Sequence, residues 1–359
     1  MKLLETTTLG NLYLKNRMVM APMTRSRADK NGVIIPLTTL YYKQRSTAGL
    51  IISEGINISK QATGLPFTPG IYTAEQIKAW KDVTSTVHKA GGKIFAQLWH
   101  LGRASHSSNR NGDIPVAPSA ISIPTQSIFT QNGPQVFETP VELTNAEVKK
   151  VIQDYKQSAI NSLEAGFDGV ELHAAFGYLP HQFLSESSNM RVDEYGGNIE
   201  NRCRFILEVI KDLVEAVGHG KVGIKLSPSI IYHGMLDSNP VELYSYLLTE
   251  LDKLDITYIH LMQPMFPLDG YPQYPLDVIE AFGSLIHKPL IINAGYTRET
   301  AEEVVKNGKA QLVSFGSLFL ANPDLPERFY LNAPVNYPDK STMYGGGNEK
   351  GYTDYPFLD

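Results

Sequence analysis

Eight short apolar runs, rich in strand-forming residues, alternate along this chain with amphipathic helical stretches, and that alternation limits the fold more than any other feature. Most of the runs are continuously apolar, which is typical of parallel strands buried on both faces. In chain order the runs are Met18–Pro22, Leu50–Ser53, Lys93–Leu98, Gly169–His173, Val222–Leu226, Thr257–Leu261, Pro289–Asn293 and Gln311–Phe315. The pattern predicts an α/β protein with a parallel sheet.

Four of the intervening stretches carry clear signals for the start of a helix. Capping boxes begin at Thr73 and at Thr144, because Gln76 and Glu147 stand three residues further on. Asn198 is a third cap, and Asn239-Pro240 places proline at the first helical position of a fourth helix.

Eight parallel strands with intervening helices form either a closed barrel or a doubly wound open sheet. The open sheet usually has a glycine-rich nucleotide loop after its first strand, where this chain reads Ala21-Pro22-Met23-Thr24. The sequence therefore favours a TIM (β/α)8 barrel, a fold long enough for residues 1–359 to be one domain. A strand pair around Gly10-Asn11 predicts a hairpin floor, and the long segment after the third strand, about residues 101–141, is expected to cover the top.

Composition argues against several functional classes. The formal net charge is −5 with scattered basic residues, which gives no electrostatic footprint for nucleic acid. The sequence has no apolar run of membrane-spanning length, and the N-terminal residues lack the apolar core of a signal peptide. The single cysteine, Cys203, fits a structural role in a reducing compartment, so a cytoplasmic location is expected. The protein is expected to be a monomer or a homodimer.

Polar residues and glycines follow the predicted strands at one level. In a TIM barrel the active site lies at the carboxyl ends of the strands. A single histidine or glycine there is usually structural, but a barrel filled with side chains does not need so many polar groups at one rim. In strand order the residues are Thr24, Glu54-Gly55, Gln97, His173, Lys225, Gly295 and Gly316.

Other chemistries have little support in the sequence. The histidines do not fall into a metal-ligand spacing, so no metal site is expected. His100 and His106, on either side of a Gly-Arg turn, are interpreted as capping or solvated residues. The sequence contains neither a Gly-x-Ser-x-Gly elbow nor a phosphate loop that ends in Gly-Lys-Ser or Gly-Lys-Thr.

Several segments, spread in order from about residue 5 to the end, resemble the Old Yellow Enzyme family. They are Ala21–Arg27, Ser53–Gly55, Gln97–Arg103, His173–Leu179, Gln182–Leu184, Asp193–Arg202, Ala321–Leu325 and Gly351–Pro356. The resemblance implies an FMN-dependent alkene reductase that uses NADPH or NADH. Its expected substrates are enones, enals or nitro compounds, reduced by hydride transfer from flavin N5 to the β-carbon.

The resemblance also implies residue roles. His173 would donate a hydrogen bond to the substrate carbonyl, Tyr178 would protonate the α-carbon, and Tyr344 and Phe176 would line the substrate pocket. Gly295 and Gly316 would bring backbone N–H groups to the phosphate, assisted by the start of the following helix. The remaining cofactor-binding residues would be Pro22, Met23, Thr24, Gly55, Gln97, Lys225 and Ser317.

Three positions depart from the family pattern. Phe176 stands where an Asn or a second His usually supplies another donor, Lys225 replaces an Arg near flavin N1, and Ser317 replaces an Arg at the phosphate. Arg298 is a candidate to supply the missing charge. The departures leave open an alternative, a barrel that binds FMN poorly and acts as an isomerase or binding protein. An iron–sulfur relative is excluded, since one cysteine cannot hold a cluster.

Overall fold

A computed structural model describes residues 1–345 and 347–358, in which eight parallel strands form a closed barrel. Each strand pairs with the next one along the chain, and the eighth pairs with the first through Val313 and Met18. The barrel strands are Met18–Met20, Leu50–Asn57, Ile94–Trp99, Gly169–Ala174, Val222–Leu226, Tyr258–Met262, Leu290–Asn293 and Leu312–Phe315. The TIM-barrel prediction is confirmed.

Helices surround the barrel, and the predicted caps are present. Thr73 and Thr144 form both halves of their capping boxes, while the side chains of Asn198 and Asn239 each accept a backbone N–H. The helices of the described residues, α1 to α10, are Pro36–Gln44, Ala74–Lys89, Asn145–Glu164, Leu179–Leu184, Ile199–Val217, Pro240–Asp252, Val278–Phe282, Arg298–Lys306, Ser317–Ala321 and Leu325–Leu331. Within the described chain, no helix is both long enough and apolar enough to cross a membrane.

An antiparallel hairpin, Thr7–Leu9 with Leu12–Leu14, closes the barrel at the amino ends of its strands. Its Leu9 and Leu14 pack against inward-facing apolar side chains that belong to six of the barrel strands. Those side chains are Val19, Leu50, Ile52, Phe95, Tyr258, Ile291 and Leu312. The floor of the barrel is therefore apolar, as a filled barrel interior requires.

The segment after the third strand contains two small sheets. Val116–Ala117 pairs in parallel with Val141–Glu142, and Ser127–Thr130 forms a hairpin with Gly133–Val136. Apolar side chains of this segment pack against Tyr178, which follows the fourth strand, and so the insertion lies at the carboxyl end of the barrel.

The second barrel strand is longer than predicted. It runs to Asn57, with a register shift between Ile52 and Gly55, so Gly55 lies inside the strand rather than at its end. A β-carbon on Gly55 would come within 2.5 Å of the Trp99 ring, which explains why glycine is needed at this position. The first strand ends two residues before the predicted Pro22.

Gly223, on the fifth strand, gives a neighbouring aromatic ring room to cross the barrel. A β-carbon on this residue would lie 2.2 Å from the Tyr258 ring, whose hydroxyl donates to Glu171 at 3.1 Å. Glu171 and Gly223 are register partners on adjacent strands. The absence of a side chain at 223 therefore lets the sixth strand contact the fourth.

Gly223→Ala is expected to destabilise the protein by about 1–3 kcal/mol, because an extra carbon in a packed interior forces neighbouring groups to move. Urea unfolding would measure the change. Gly283→Ala is the matched control, since its β-carbon would meet its nearest neighbour at an ordinary 3.4 Å. Equal midpoints for the two variants would contradict the role assigned to Gly223.

Candidate active site

Three aromatic side chains stand together at the carboxyl end of the barrel. His173 is the penultimate residue of the fourth strand and stacks on Trp99 of the third, with ring centroids 6.2 Å apart. The Tyr178 ring meets the His173 ring edge-on at 4.9 Å and the Trp99 ring at 5.1 Å. The short turn between His173 and Tyr178 thus places an imidazole and a phenol side by side.

The environment fixes the protonation of this pair. Burial holds the pKa of His173 well below its ordinary value, and the charge of Lys225 lowers it further. Its Nδ1 is buried and has no hydrogen-bond partner among the described residues. Burial also raises the pKa of Tyr178. At neutral pH the site therefore presents a neutral imidazole beside a protonated phenol, and both can donate a hydrogen bond.

A cation and an amide lie on the strands beside this pair. Lys225 is the register partner of His173 on one side and of His260 on the other. Burial lowers the pKa of Lys225 to about 8, an effect that Glu171 opposes. Gln97 of the third strand is buried, and its amide nitrogen donates to Glu171 Oε1 at 2.8 Å.

Phe176 occupies a turn with an unusual backbone. Its φ of +57° is a conformation that bulky residues adopt rarely. The backbone N–H of Phe176 donates to Ser227 Oγ at 3.0 Å, and its carbonyl oxygen lies 3.2 Å from Nδ1 of His233. The Phe176 ring meets Tyr232 edge-on at 6.1 Å. The turn is thus held from the loop after the fifth strand, and its apolar ring packs beside Tyr232.

The residues after the first, seventh and eighth strands leave space at the rim. Pro22, Met23 and Thr24 are half-buried, and a β-carbon at Gly316 would touch Met23 Sδ at 3.2 Å. Gly295 has a φ of +78° and faces open space. Ser317 is exposed at the start of α9. That helix has only five residues, so its dipole is small. An anion at its start would be bound mainly by hydrogen bonds from the first backbone N–H groups.

Tyr344 reaches this end of the barrel from the C-terminal segment. The Arg25 guanidinium donates to the carbonyl oxygens of Met343 and Gly351, at 3.1 and 2.7 Å. The N–H of Gly345 donates to the Arg25 carbonyl at 2.9 Å. These bonds fix the chain on both sides of Tyr344, whose side chain is 62% exposed.

Other candidate residues lie elsewhere or serve the structure. Arg298 is partly engaged within the protein, because its Nε donates to the Phe329 carbonyl at 2.7 Å and its Nη1 lies 3.4 Å from Glu299 Oε1. Cys203 is buried, and burial raises its pKa to about 12, so the thiol is inert. His100 and His106 each accept a nearby backbone N–H, although His100 is fully buried rather than solvated. Among the described residues, no group of three His, Cys, Asp or Glu side chains could hold a metal ion.

The sequence analysis missed three residues of this region. Glu171 and His260 form a buried pair below the rim, and His233 holds the Phe176 turn. A usable signal existed for Glu171, since it stands two residues before His173 on one strand and therefore shares its inward face. No comparable signal indicates His233, because only the folded loop brings it to Phe176.

These groups fit a flavin with a phosphate tail. The unpartnered His173 Nδ1, the buried amine of Lys225 and the polar Gln97 side chain line a mouth that is otherwise aromatic. Gly295 has open space beside its α-carbon, and Gly316 lies where a β-carbon would contact Met23. Such glycines allow close approach of an anion to the backbone.

Comparison with known proteins agrees with this geometry. A model of the NADH:flavin oxidoreductase / NADH oxidase family matches residues 2–336. The 12-oxophytodienoate reductase 1 of Oryza sativa subsp. japonica is 44% identical over 361 residues, which cover 99% of this chain and 93% of that protein.

Solved structures share the fold over the whole chain. An old yellow enzyme homologue from Zymomonas mobilis has a TM-score of 0.95 and 39% identity, with 100% of both chains covered. Morphinone reductase in complex with tetrahydroNAD has a TM-score of 0.93 and 43% identity, covering 100% of this chain and 98% of that chain.

The match extends over the strands and loops that form the candidate site, and it does not favour the alternative of a flavin-poor isomerase or binding protein. The chain belongs to the NADH:flavin oxidoreductase / NADH oxidase family, among the Old Yellow Enzymes, and is an FMN-dependent ene-reductase with a nicotinamide reductant.

Proposed function

We propose that residues 1–359 form one FMN-binding domain that reduces alkenes conjugated to a carbonyl or nitro group, with His173 and Tyr178 as the catalytic residues. The observation that carries this proposal is the neutral imidazole with a free Nδ1, set 4.9 Å from the ring of a protonated tyrosine. Both groups stand at the end of the barrel where catalytic residues of this fold gather.

Bound FMN would supply the hydride that it receives from NADPH or NADH. Thr24, Gln97 and Lys225 would bind the edge of the isoalloxazine ring, with the backbones of Pro22, Met23 and Gly55 along it. Gly295, Gly316 and Ser317 would hold the phosphate through N–H groups and a hydroxyl. These assignments are supported by the open space at Gly295, by the close approach of Met23 to Gly316 and by the burial of Gln97 and Lys225.

His173 would stabilise the charge that develops on the substrate. Negative charge builds on the carbonyl or nitro oxygen as the β-carbon gains a hydride. A donor aimed at that oxygen binds the transition state more tightly than the ground state. The low pKa of His173 keeps the imidazole neutral, so it donates a hydrogen bond without losing a proton.

Tyr178 would deliver the proton that completes the reduction. Its raised pKa keeps the hydroxyl protonated over the physiological range, and so the acid is present whenever substrate binds. A phenol is a weak acid, but the enolate-like α-carbon is basic enough to take its proton.

Phe176 and Tyr344 would shape the substrate pocket. Phe176 cannot donate a hydrogen bond from its side chain, so His173 would act on the substrate oxygen without a second donor at that position. The aromatic ring narrows the mouth, and the half-exposed Tyr232 beside it extends the apolar wall. A flat, apolar enone suits such a pocket.

The reductant would enter the same pocket as the substrate. The use of a nicotinamide reductant is supported by the solved complex of morphinone reductase with tetrahydroNAD, a relative whose fold matches over this whole chain. The buried, unreactive Cys203 suits a reducing compartment such as the cytoplasm, where the enzyme would act as a monomer or homodimer.

A visible absorption spectrum of the purified protein, followed by anaerobic NADPH and then cyclohexenone, tests this function. We expect a yellow protein that bleaches with NADPH and regains its colour with the enone. A protein that stays colourless after incubation with FMN would mean that Lys225 and Ser317, in place of the usual arginines, do not allow the flavin to bind.

His173→Ala is expected to slow enone reduction about 10²-fold, since it removes the donor to the developing oxyanion. Binding of phenolic ligands should also weaken, while NADPH still reduces the flavin. Stopped-flow kinetics of the two half-reactions would separate these effects. His219→Ala is the control, because His219 is exposed and pairs with Asp255. Unchanged enone kinetics in His173→Ala would remove this residue from the mechanism.

Tyr178→Phe is expected to slow reoxidation by cyclohexenone about 10²–10⁴-fold, because it removes the acidic proton and keeps the ring. Reduction by NADPH should stay within a few-fold of wild type. Tyr13→Phe, at an exposed tyrosine of the floor hairpin, controls for a general effect of losing a hydroxyl. Equal rates of reoxidation in the two variants would mean that another group protonates the α-carbon.

Phe176→Asn is expected to speed the reduction of cyclic enones, since it adds a second donor near His173. The variant should fold well, because asparagine tolerates the φ of +57° better than phenylalanine does. Steady-state kinetics on enones of increasing size would measure the effect. An unchanged rate with intact folding would mean that the second donor already comes from elsewhere.

A further inference from the structure

A carboxylate lies buried inside the barrel, one layer below Lys225 and His173. Glu171 is fully buried on the fourth strand, two residues before His173. Its Oε1 accepts the amide N–H of Gln97 at 2.8 Å, and its Oε2 accepts the Tyr258 hydroxyl at 3.1 Å. An isolated charge in such a place would be very costly, so these donors are needed for Glu171 to remain ionised.

His260 supplies the next contact of this carboxylate. Its Nδ1 lies 2.8 Å from Glu171 Oε2, and its Nε2 lies 2.7 Å from Ser314 Oγ. Burial lowers the pKa of His260, although Glu171 opposes the change. The neutral imidazole therefore donates from Nδ1 to Glu171 and accepts at Nε2 from the Ser314 hydroxyl. This chain of bonds links the fourth, sixth and eighth strands.

Glu171 remains an anion and faces a cation. Burial acts to raise its pKa, but His260 and then Lys225 outweigh burial, and the net direction is downward. In return, Glu171 is the group that opposes the lowering of the Lys225 pKa by burial. The two charges stand on adjacent strands and both side chains are buried, a setting in which charges couple more strongly than in water.

We infer that Glu171 is a positioning residue of the flavin site, which orients the Gln97 amide and keeps Lys225 protonated. The inference rests on the proposed placement of FMN against Gln97 and Lys225. Because the amide nitrogen of Gln97 donates to Glu171, its amide oxygen is left to accept a hydrogen bond from another group. A reversed amide would set two acceptors against each other.

Glu171 is ionised, whereas the other titratable groups that face Lys225 from the neighbouring strands are neutral. From the fourth strand these groups are Glu171 and His173, and from the sixth strand they are Tyr258 and His260. Both histidines are neutral because burial lowers their pKa values, and burial holds the Tyr258 hydroxyl protonated. Loss of the Glu171 charge would therefore leave Lys225 without a compensating anion in this layer.

A titration of the lysine follows from this arrangement. The pKa of Lys225, near 8, lies below the ordinary lysine value, so the cation is present at neutral pH and is lost as the pH rises through that value. Between that value and the higher pKa that an anionic reduced flavin would give the lysine, two-electron reduction of the bound flavin would also return a proton to Lys225. The midpoint potential would then fall with pH twice as steeply as below that value, since two protons are taken up instead of one.

The test follows Lys225 directly, by NMR titration of protein labelled with ¹³C at the lysine side chain, with and without FMN. The Lys225 signal is assigned by its loss in Lys225→Arg. Glu171→Gln is expected to weaken the proton affinity of Lys225 about ten-fold or more. In the FMN-loaded protein, the plot of midpoint potential against pH should change slope at the pKa of Lys225. In Glu171→Gln this bend in the plot should move to lower pH by a matching amount.

Asp168→Asn is the matched control. Asp168 immediately precedes the same strand at the opposite end of the barrel and also pairs with a lysine and a histidine, Lys93 and His88. This variant should leave the titration of Lys225 unchanged. Glu171→Asp keeps the charge and should restore most of the lysine's proton affinity, while the shorter side chain loosens Gln97 and weakens FMN binding.

The outcomes separate the two proposals. An unchanged Lys225 titration in folded Glu171→Gln would overturn the role of Glu171, even if FMN binds and enones are reduced. A shifted titration in protein that never binds FMN would support the Glu171 and Lys225 coupling and overturn the flavin placement. If Glu171→Gln does not fold, Glu171→Asp decides, because unchanged FMN binding in that variant would overturn the role of Glu171 in orienting Gln97. Lys225→Arg identifies the titrating group, because a permanently charged side chain must abolish the change in slope.

Discussion

Closure of eight parallel strands into a barrel turns every second residue of each strand toward one enclosed axis, and the rest of the structure depends on what fills that axis. At the floor the inward positions are apolar and sealed by the hairpin with Leu9 and Leu14. One layer higher they are Gln97, Glu171 and His260, which satisfy one another by hydrogen bonds. At the rim they include His173 and Lys225, to which the proposed function assigns roles. The barrel therefore changes from a packed core to a polar site within a few residues of each strand.

Low polarity gives different protonation states to similar groups in this interior. Burial keeps His173 and His260 neutral, whereas Glu171 stays ionised because three donors and Lys225 face it. Tyr178 keeps its proton for the same reason that His173 loses one, since burial disfavours the charged form of each. His173 and Tyr178 are therefore neutral hydrogen-bond donors, while Lys225 close by remains a cation at neutral pH.

The departures from the family pattern change which groups stand at the proposed site. Lys225 retains a positive charge on the fifth strand but, unlike arginine, can lose it, and this makes the Glu171 carboxylate important. Phe176 replaces a donor with an apolar ring in a turn fixed by Ser227 and His233. At the phosphate end, Arg298 is engaged with the Phe329 carbonyl, so backbone N–H groups and the Ser317 hydroxyl carry the proposed interaction.

The sequence by itself determined the eight strands, the four capped helices, the hairpin floor and the positions of His173, Gln97 and Lys225 near one rim. These features depend on local periodicity and on capping chemistry, which neighbouring residues encode. Only the tertiary structure decided that Gly55 lies within a strand against Trp99, that His233 holds the Phe176 turn, and that Glu171 joins His260 across the barrel. The physical reason is distance along the chain, because such contacts form between residues up to 89 positions apart and exist only once the barrel has closed.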